Sequence, residues 1–311
     1  MITIKDDAGF AKMRIASKTV AKVLTTMREA AVPGVSMTAL DEIAAGIIRD
    51  RGCTPSFLGY HGYPATICTS PNNVIVHGIP DGYQLKDGDI LSVDVGAIYE
   101  GFHGDAARTF AIGEVPSEVE KLLQATEESM MAGIAQVKAG ARIGDIGAAV
   151  QQVAEAAGFS VVREYVGHGI GEQMHEEPQI PNYGESGKGM KLKKGMAICI
   201  EPMVNMGDWR TELQDDGWTV TTADGSLSAH FENTIAITGD GPEVMTAEDG
   251  GSPPCFPRPS SLFPRPSSES RGRSWVVGTA HCSWTYLVQV LGRGSRDKGP
   301  KFSLLLPPNP G

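Results

Sequence analysis

Residues 85–94 read LKDGDILSVD and residues 192–201 read LKKGMAICIE, so one ten-residue pattern occurs twice and each copy ends in a carboxylate. The alignment sets Asp94 against Glu201. The match extends outward. HGDAARTFAIG from His103 lies against HFENTIAIT from His230, which sets Asp105 against Glu232. Upstream, VHGI at Val76 lies against GHGI at Gly167 and sets His77 against His168. Each half therefore offers one imidazole and two carboxylates at the ends of strand-like runs. Such a pattern predicts a duplicated fold around one shared polyvalent metal site.

The segments between these motifs repeat as well. Residues 8–32 carry apolar positions at helical spacing and stop at Pro33-Gly34. Ser36 to Arg51 reads as a second helix, with Thr38 as its N-cap and Gly52 just past its end. Residues 57–80 are rich in Gly, Pro, Asn and aromatics, which predicts turns and short strands. Asp89–Val95 and Arg108–Ile112 read as strands. The second half then gives helices over Ser117–Lys138 and Ile143–Ala157, followed by strands around Ser160–Val166, Met196–Pro202, Trp218–Thr222 and Ala229–Ile237. Two helices and then strands, done twice, make two α+β halves related by a pseudo-two-fold axis.

The chemistry follows from five donors: Asp94, Asp105, His168, Glu201 and Glu232. Apolar neighbours such as Leu91-Ser92-Val93 and Ile198-Cys199-Ile200 place Asp94 and Glu201 on strands that enter a core. Any one of these residues alone reads as an ordinary strand-edge acid or a satisfied core histidine; the matched pairs do not. Four carboxylates buried together repel strongly unless cations neutralise them. With four carboxylates and one imidazole, two ions sharing bridging oxygens fit better than one. Oxygen-rich ligation with a single nitrogen suits Mn²⁺, Fe²⁺, Co²⁺ or Zn²⁺, without the thiolates of a structural zinc site. Hydrolysis is the reaction class implied.

Composition bounds the rest. The chain has 311 residues, 41% of them hydrophobic and 21% charged, and a formal charge of −10. That balance excludes a general nucleic-acid binder, which carries a basic face. MITIKDDAGF shows no apolar signal core, and no run approaches the ~18 apolar residues of a membrane helix. The five cysteines (Cys53, Cys68, Cys199, Cys255, Cys282) show no CxxC or paired spacing, so no disulfide framework is expected. A cytoplasmic enzyme is the expectation. Residues 251–311 differ from the rest. They hold ten of the twenty prolines and a net +6, which leaves −16 on residues 1–250. The expected boundary is Gly250, with a catalytic domain over 1–250 and a Pro/Arg/Ser-rich tail, disordered or non-native, over 251–311.

GYHGYP (59–64), NNVIVHGIP (72–80), DVGAIYEGFHGDAARTF (94–110), GHGIGEQMHEEP (167–178), IEPMV (200–204) and SAHFENTI (228–235) together resemble the type I methionine aminopeptidases of bacteria. The likeness runs over about residues 5–248 and implies the pita-bread fold, in agreement with the duplication. The family's roles, carried to these positions, make Asp94 a ligand of one ion and His168 and Glu201 ligands of the other, with Asp105 and Glu232 bridging. Glu201 is then also the general base, and His77 and His175 contact the scissile peptide. The methionine pocket is implied to be walled by Tyr60, Tyr63, Cys68, Met203 and Trp218. Phe57 stands where bacterial members often have cysteine, and Met174 where an aromatic residue is common, so these two alter the pocket's shape. Only 31 positions separate Glu201 from Glu232, too few for the insertion that type II relatives carry there. The implied partner is the N-terminal methionine of nascent polypeptides, met by a monomer with at most transient ribosome contact, no membrane attachment and no sequence-specific nucleic acid. The alternative is a proline-directed peptidase of the same fold. A non-catalytic module of that fold is disfavoured by the full set of ligands.

Overall fold

The computed structural model describes residues 2–247; the expected boundary at Gly250 and the tail lie outside the described residues. Helix α1 (Asp7–Ala30) begins where the Asp6 side chain accepts the Gly9 N–H at 2.8 Å. Its buried stripe is Phe10, Met13, Val20, Leu24 and Met27, at the three- and four-residue spacing of one helix face. Helix α2 (Met37–Asp50) buries Leu40, Ala44 and Ile48 by the same logic. Its N-cap is Ser36, which accepts the Ala39 N–H at 3.2 Å, rather than Thr38. The Thr38 hydroxyl instead donates to the Asp81 carbonyl at 2.6 Å, so a tertiary partner removes it from capping.

Both helices pack on a sheet built around one long hairpin. Strand β1 (Cys68–Pro71) is followed by the short β2 (Val74–Val76), and then by β3 (Ile90–Tyr99) and β4 (Phe102–Ala111). β3 pairs antiparallel with β1, which sets Cys68 against Asp94, and with β4, which sets Gly96 against Asp105. The core between this sheet and the helices includes Val20, Leu24, Leu40, Ile48, Leu91 and Val93.

The second half repeats this plan. α3 (Ser117–Ile134) and α4 (Ile143–Ala156) cover a sheet made by β5 (Gly167–Gly169), β6 (Glu176–Ile180), β7 (Ala197–Ile200) and β8 (Asn233–Ile237), with Pro242–Val244 at its edge. α3 ends at Ile134, four residues before the expected Lys138. Two expected strands are interrupted. Met196–Pro202 stops as a strand at Ile200, and Ala229–Ile237 divides into Ser228–His230 and β8. Each break falls beside a carboxylate, Glu201 or Glu232, which leaves the ladder to face the centre.

The halves meet where β4 runs beside the start of β8. Glu232 N–H donates to the Ala107 carbonyl at 2.9 Å, and Asp105 N–H donates to Thr234 Oγ1 at 3.0 Å. Thr234 Oγ1 returns a bond to the Asp105 carbonyl at 2.8 Å. Arg108 donates to the Glu232 carbonyl and to Asn233 Oδ1. These bonds carry Asp105 and Glu232 to one place.

Candidate metal centre and its pocket

The two hairpins present their acids in different registers. Asp94 pairs with Ala107, and Asp105 pairs with Gly96, so these two carboxylates sit diagonally on one ladder. In the second hairpin Ile200 pairs with Asn233, which brings Glu201 and Glu232 next to each other at the ladder's end. The duplication read from sequence is therefore real in topology and offset by two residues in pairing.

All five expected ligands line one cavity of about 140 Å³. That is ample for several water-sized occupants, since each needs roughly 10–15 Å³ by this measure. Asp94 Oδ1, Asp105 Oδ1, Glu201 Oε1 and Glu232 Oε1 are buried and find no hydrogen-bond partner. Burial drives the carboxyls of Asp94, Asp105 and Glu201 well above the usual carboxylate range, and the neighbouring Glu232 adds to it at each. Burial also lifts Glu232, to about 7. Four orphaned oxygens converging on one void must keep protons or bind cations, so the donor set fits divalent metal.

The imidazoles are held neutral. His168 Nδ1 donates to the Gly169 carbonyl at 2.9 Å, which leaves the Nε2 lone pair facing Glu201 Oε1 at 3.4 Å. Burial, helped by nearby His175, lowers His168 to about 3. Burial lowers His77 to about 4, and lowers His175 as well. The sequence pairing of His77 with His168 does not carry over to equal positions. His168 faces the acids, whereas His77 sits past β2 at φ +60, a backbone region costly for a residue with a side chain. Its ring stands edge-on to Trp218, 6.5 Å away, and to Tyr165, 5.8 Å away. Gly78 is obligatory beside it, because a Cβ there would lie 2.2 Å from the Thr69 carbonyl oxygen.

The apolar end of the same cavity is lined by Phe57, Tyr60, Tyr63, Cys68, Met174 and Trp218. Tyr63 is pinned by its hydroxyl, which donates to the Gly78 carbonyl at 2.9 Å, and its ring meets Trp218 edge-on at 5.1 Å. Met203 does not join this wall. It packs instead with Ile75, Val76, Val162 and Val220, because its strand (Met203–Asn205) turns that side chain toward a separate core.

Two residues near the acids were not expected. His230 is almost fully buried, with Nε2 3.8 Å from Glu201 Oε2 and no hydrogen-bond partner. Its place in the repeat matched it to His103, which instead bonds Ser56 Oγ at 2.9 Å, so the pairing gave no signal of its site. Cys199 Sγ lies with an oxygen of Asp105, a nitrogen of His168 and an oxygen of Glu232, all within 4.8 Å of one another.

Residues 11–239 match the metallopeptidase family M24. The chain is 51% identical over 246 residues to a methionine aminopeptidase of Clostridium perfringens, covering 79% of this chain and 99% of that protein. The crystal structure of a methionine aminopeptidase from Thermotoga maritima superposes with a TM-score of 0.79 at 45% identity, covering 80% of this chain and 100% of that one. A prolidase from Pyrococcus furiosus shares the fold at 20% identity and a TM-score of 0.65, over 79% of this chain and 66% of its own. With its paired hairpins, its five converging donors and these relatives, the chain belongs to metallopeptidase family M24, within its bacterial methionine aminopeptidases.

Proposed function

We propose that the enzyme removes the initiator methionine from polypeptides whose second residue is small, by hydrolysis of the first peptide bond. The observation that carries this reading is one continuous cavity with a sulfur- and aromatic-lined end beside a cluster of unpartnered carboxylates. A thioether fits such a wall, where sulfur–aromatic contacts contribute about 0.3–1.5 kcal/mol each. The prolidase-type alternative rests only on fold-level likeness, at 20% identity.

Asp94 would hold one divalent ion and His168 and Glu201 the other, with Asp105 and Glu232 serving both. When bound, the ions supply Lewis acidity that eases deprotonation of water and polarises the scissile carbonyl. Glu201 takes the proton of the attacking water. His175 is the oxyanion donor. The Tyr60 hydroxyl lies 2.8 Å from His175 Nδ1; with the hydroxyl as donor, the imidazole keeps its proton on Nε2, ready to donate. His77, neutral and held against Trp218, contacts the peptide amide. The two imidazoles and Tyr60 narrow the cavity beyond the reacting bond, which favours Gly, Ala or Ser as second residue.

Among the described residues no helix is long and apolar enough to cross a membrane. The working form is a cytoplasmic monomer that meets nascent chains, with ribosome contact at most transient. A panel of Met-Xaa-Ser and Xaa-Pro peptides tests the reading. Fast release of methionine from Met-Ala-Ser and Met-Gly-Ser with little from Met-Leu-Ser is expected. Equal turnover of Met-Gly and Met-Leu peptides, or preference for Xaa-Pro, contradicts it.

A further inference from the structure

Between β5 and β6 the chain runs from Gly171 to His175 as successive bends, with no helix or ladder of its own. Glu176 opens β6 and pairs with Gly169. Side chains alternate along the backbone there, so Glu176 turns inward while His175, just before it, lines the cavity.

The Glu176 carboxylate gathers the bonds that hold this turn. Its Oε1 accepts the Gln173 N–H at 3.2 Å, and its Oε2 accepts the Lys5 ammonium at 2.8 Å and the Thr3 hydroxyl. The Lys5 and Glu176 side chains are 3% and 2% exposed. Two glycines make room for the arm that brings Lys5 in from ahead of α1. A Cβ on Gly171 would lie 2.2 Å from Lys5 Cε, and one on Gly195 would lie 2.6 Å from Ile4 Cγ2. The Lys5 N–H donates to the Gly195 carbonyl at 2.7 Å, which seats the arm just ahead of β7. Met174 is anchored separately, by packing with Phe57, Tyr63 and Cys68. The His175 ring meets the Tyr60 hydroxyl, and its direction otherwise follows the backbone of the turn.

We propose that Lys5 is a positioning residue: through its buried ion pair with Glu176 it holds the 171–175 turn so that His175 stands over the reacting bond. This rests on the reading of His175 as the oxyanion donor. A buried ion pair adds little net stability over an apolar pair of similar volume, but a carboxylate that accepts from three directions is fixed in orientation. A segment far from the chemistry in sequence thereby sets the aim of a group that acts in it.

The test is a double-mutant cycle between Lys5→Met and His175→Ala in the full chain, assayed on Met-Ala-Ser with bound metal counted in each variant. Lys5→Met should lower kcat about ten- to hundredfold, the usual effect of misplacing a catalytic group by about 1 Å. KM should stay within about threefold, because the pocket wall keeps its own anchors, and bound metal should be unchanged. In the His175→Ala background the same substitution should change kcat by no more than about twofold, since the group it aims is gone. A Lys5→Met enzyme with wild-type kcat, one that has lost metal, or an equal loss of kcat in both backgrounds overturns the proposal and makes the pair a support of the general fold. His175→Ala with wild-type kcat overturns the oxyanion assignment instead. Should Lys5→Met fail to fold, Glu176→Gln and Thr3→Val weaken the same node at nearly constant volume, and each is read through the same cycle by the same criteria.

Discussion

The Phe57 ring is seated directly over Gly96, where an added Cβ would lie 2.9 Å from Cε1 of that ring and 2.7 Å from Ser56 Cβ. Gly96 is also the strand partner of Asp105, so the pocket wall and a proposed metal ligand share one point of the β3–β4 ladder. The large residue at 57 is accommodated by the absence of a side chain at 96.

Gly96→Ala should therefore push Phe57 into the cavity. KM for Met-Ala-Ser should rise several-fold while bound metal stays constant, and Phe57→Ala in the same chain should recover part of the loss. A coupling of about 0.5–3 kcal/mol in the double-mutant cycle is expected for residues in contact. Strict additivity of the two changes would show that the ring and the glycine do not define the wall together.

The Tyr60 hydroxyl lies 2.8 Å from His175 Nδ1, and in the proposed tautomer it donates, which leaves the imidazole proton on Nε2. His175→Ala should lower kcat by about 10²–10³, the usual effect of deleting a transition-state donor. Tyr60→Phe should cost about one order of magnitude, because the imidazole remains but its tautomer is no longer fixed. Metal content should be unchanged in both, as measured by elemental analysis; metal loss in His175→Ala would make that imidazole a ligand.

Metal removal should matter more as pH rises. In the metal-free fold the buried carboxyls hold protons, with Glu232 raised from 4.5 to about 7. A raised pKa contributes stability below the unfolded value and loses it as pH climbs through the folded one, here from about 4.5 to about 7. Cations displace those protons, so binding tightens over the same range. His168 and His77, lowered to about 3 and about 4, are already neutral there and release nothing. The Tm difference between Mn²⁺-loaded and chelated protein should widen from pH ~5 to pH ~8. A constant or shrinking difference would mean the carboxyls are ionised without metal.

A chain ending at Gly250 should fold, bind metal and cleave short peptides at the full-length rate, since every site residue lies before position 236. Insolubility or inactivity of that truncation would move the domain boundary into residues 251–311.

The repeated motifs made the duplication and the five donors legible by putting like residues at like places, and the family resemblance pointed to the aromatic wall. Pairing register was not legible, since the two-residue offset between Asp94–Ala107 and Ile200–Asn233 depends on how each hairpin closes. Met203 was misplaced because strand direction, set by contacts with Val76 and Val220, decides which side chain faces the pocket. Thr38 lost the cap to Ser36 through a bond to Asp81, 43 residues away. Cys199 sits in a continuous apolar run, and no periodicity separates a core thiol from one facing acids. His230 was hidden by its match to His103, although His230, unlike His103, approaches Glu201.

Metal stoichiometry in Glu232→Ala tests the central assignment most directly. Glu232 is placed as a ligand of both ions, with Asp105 beside it across the junction of the halves. Titration with Mn²⁺ or Co²⁺ should show two ions per wild-type chain. Glu232→Ala should lose tight binding at both sites together with methionine release, and Asp94→Ala should lose one site only. A Glu232→Ala enzyme that still bound two ions and released methionine at the wild-type rate would contradict the shared two-ion centre.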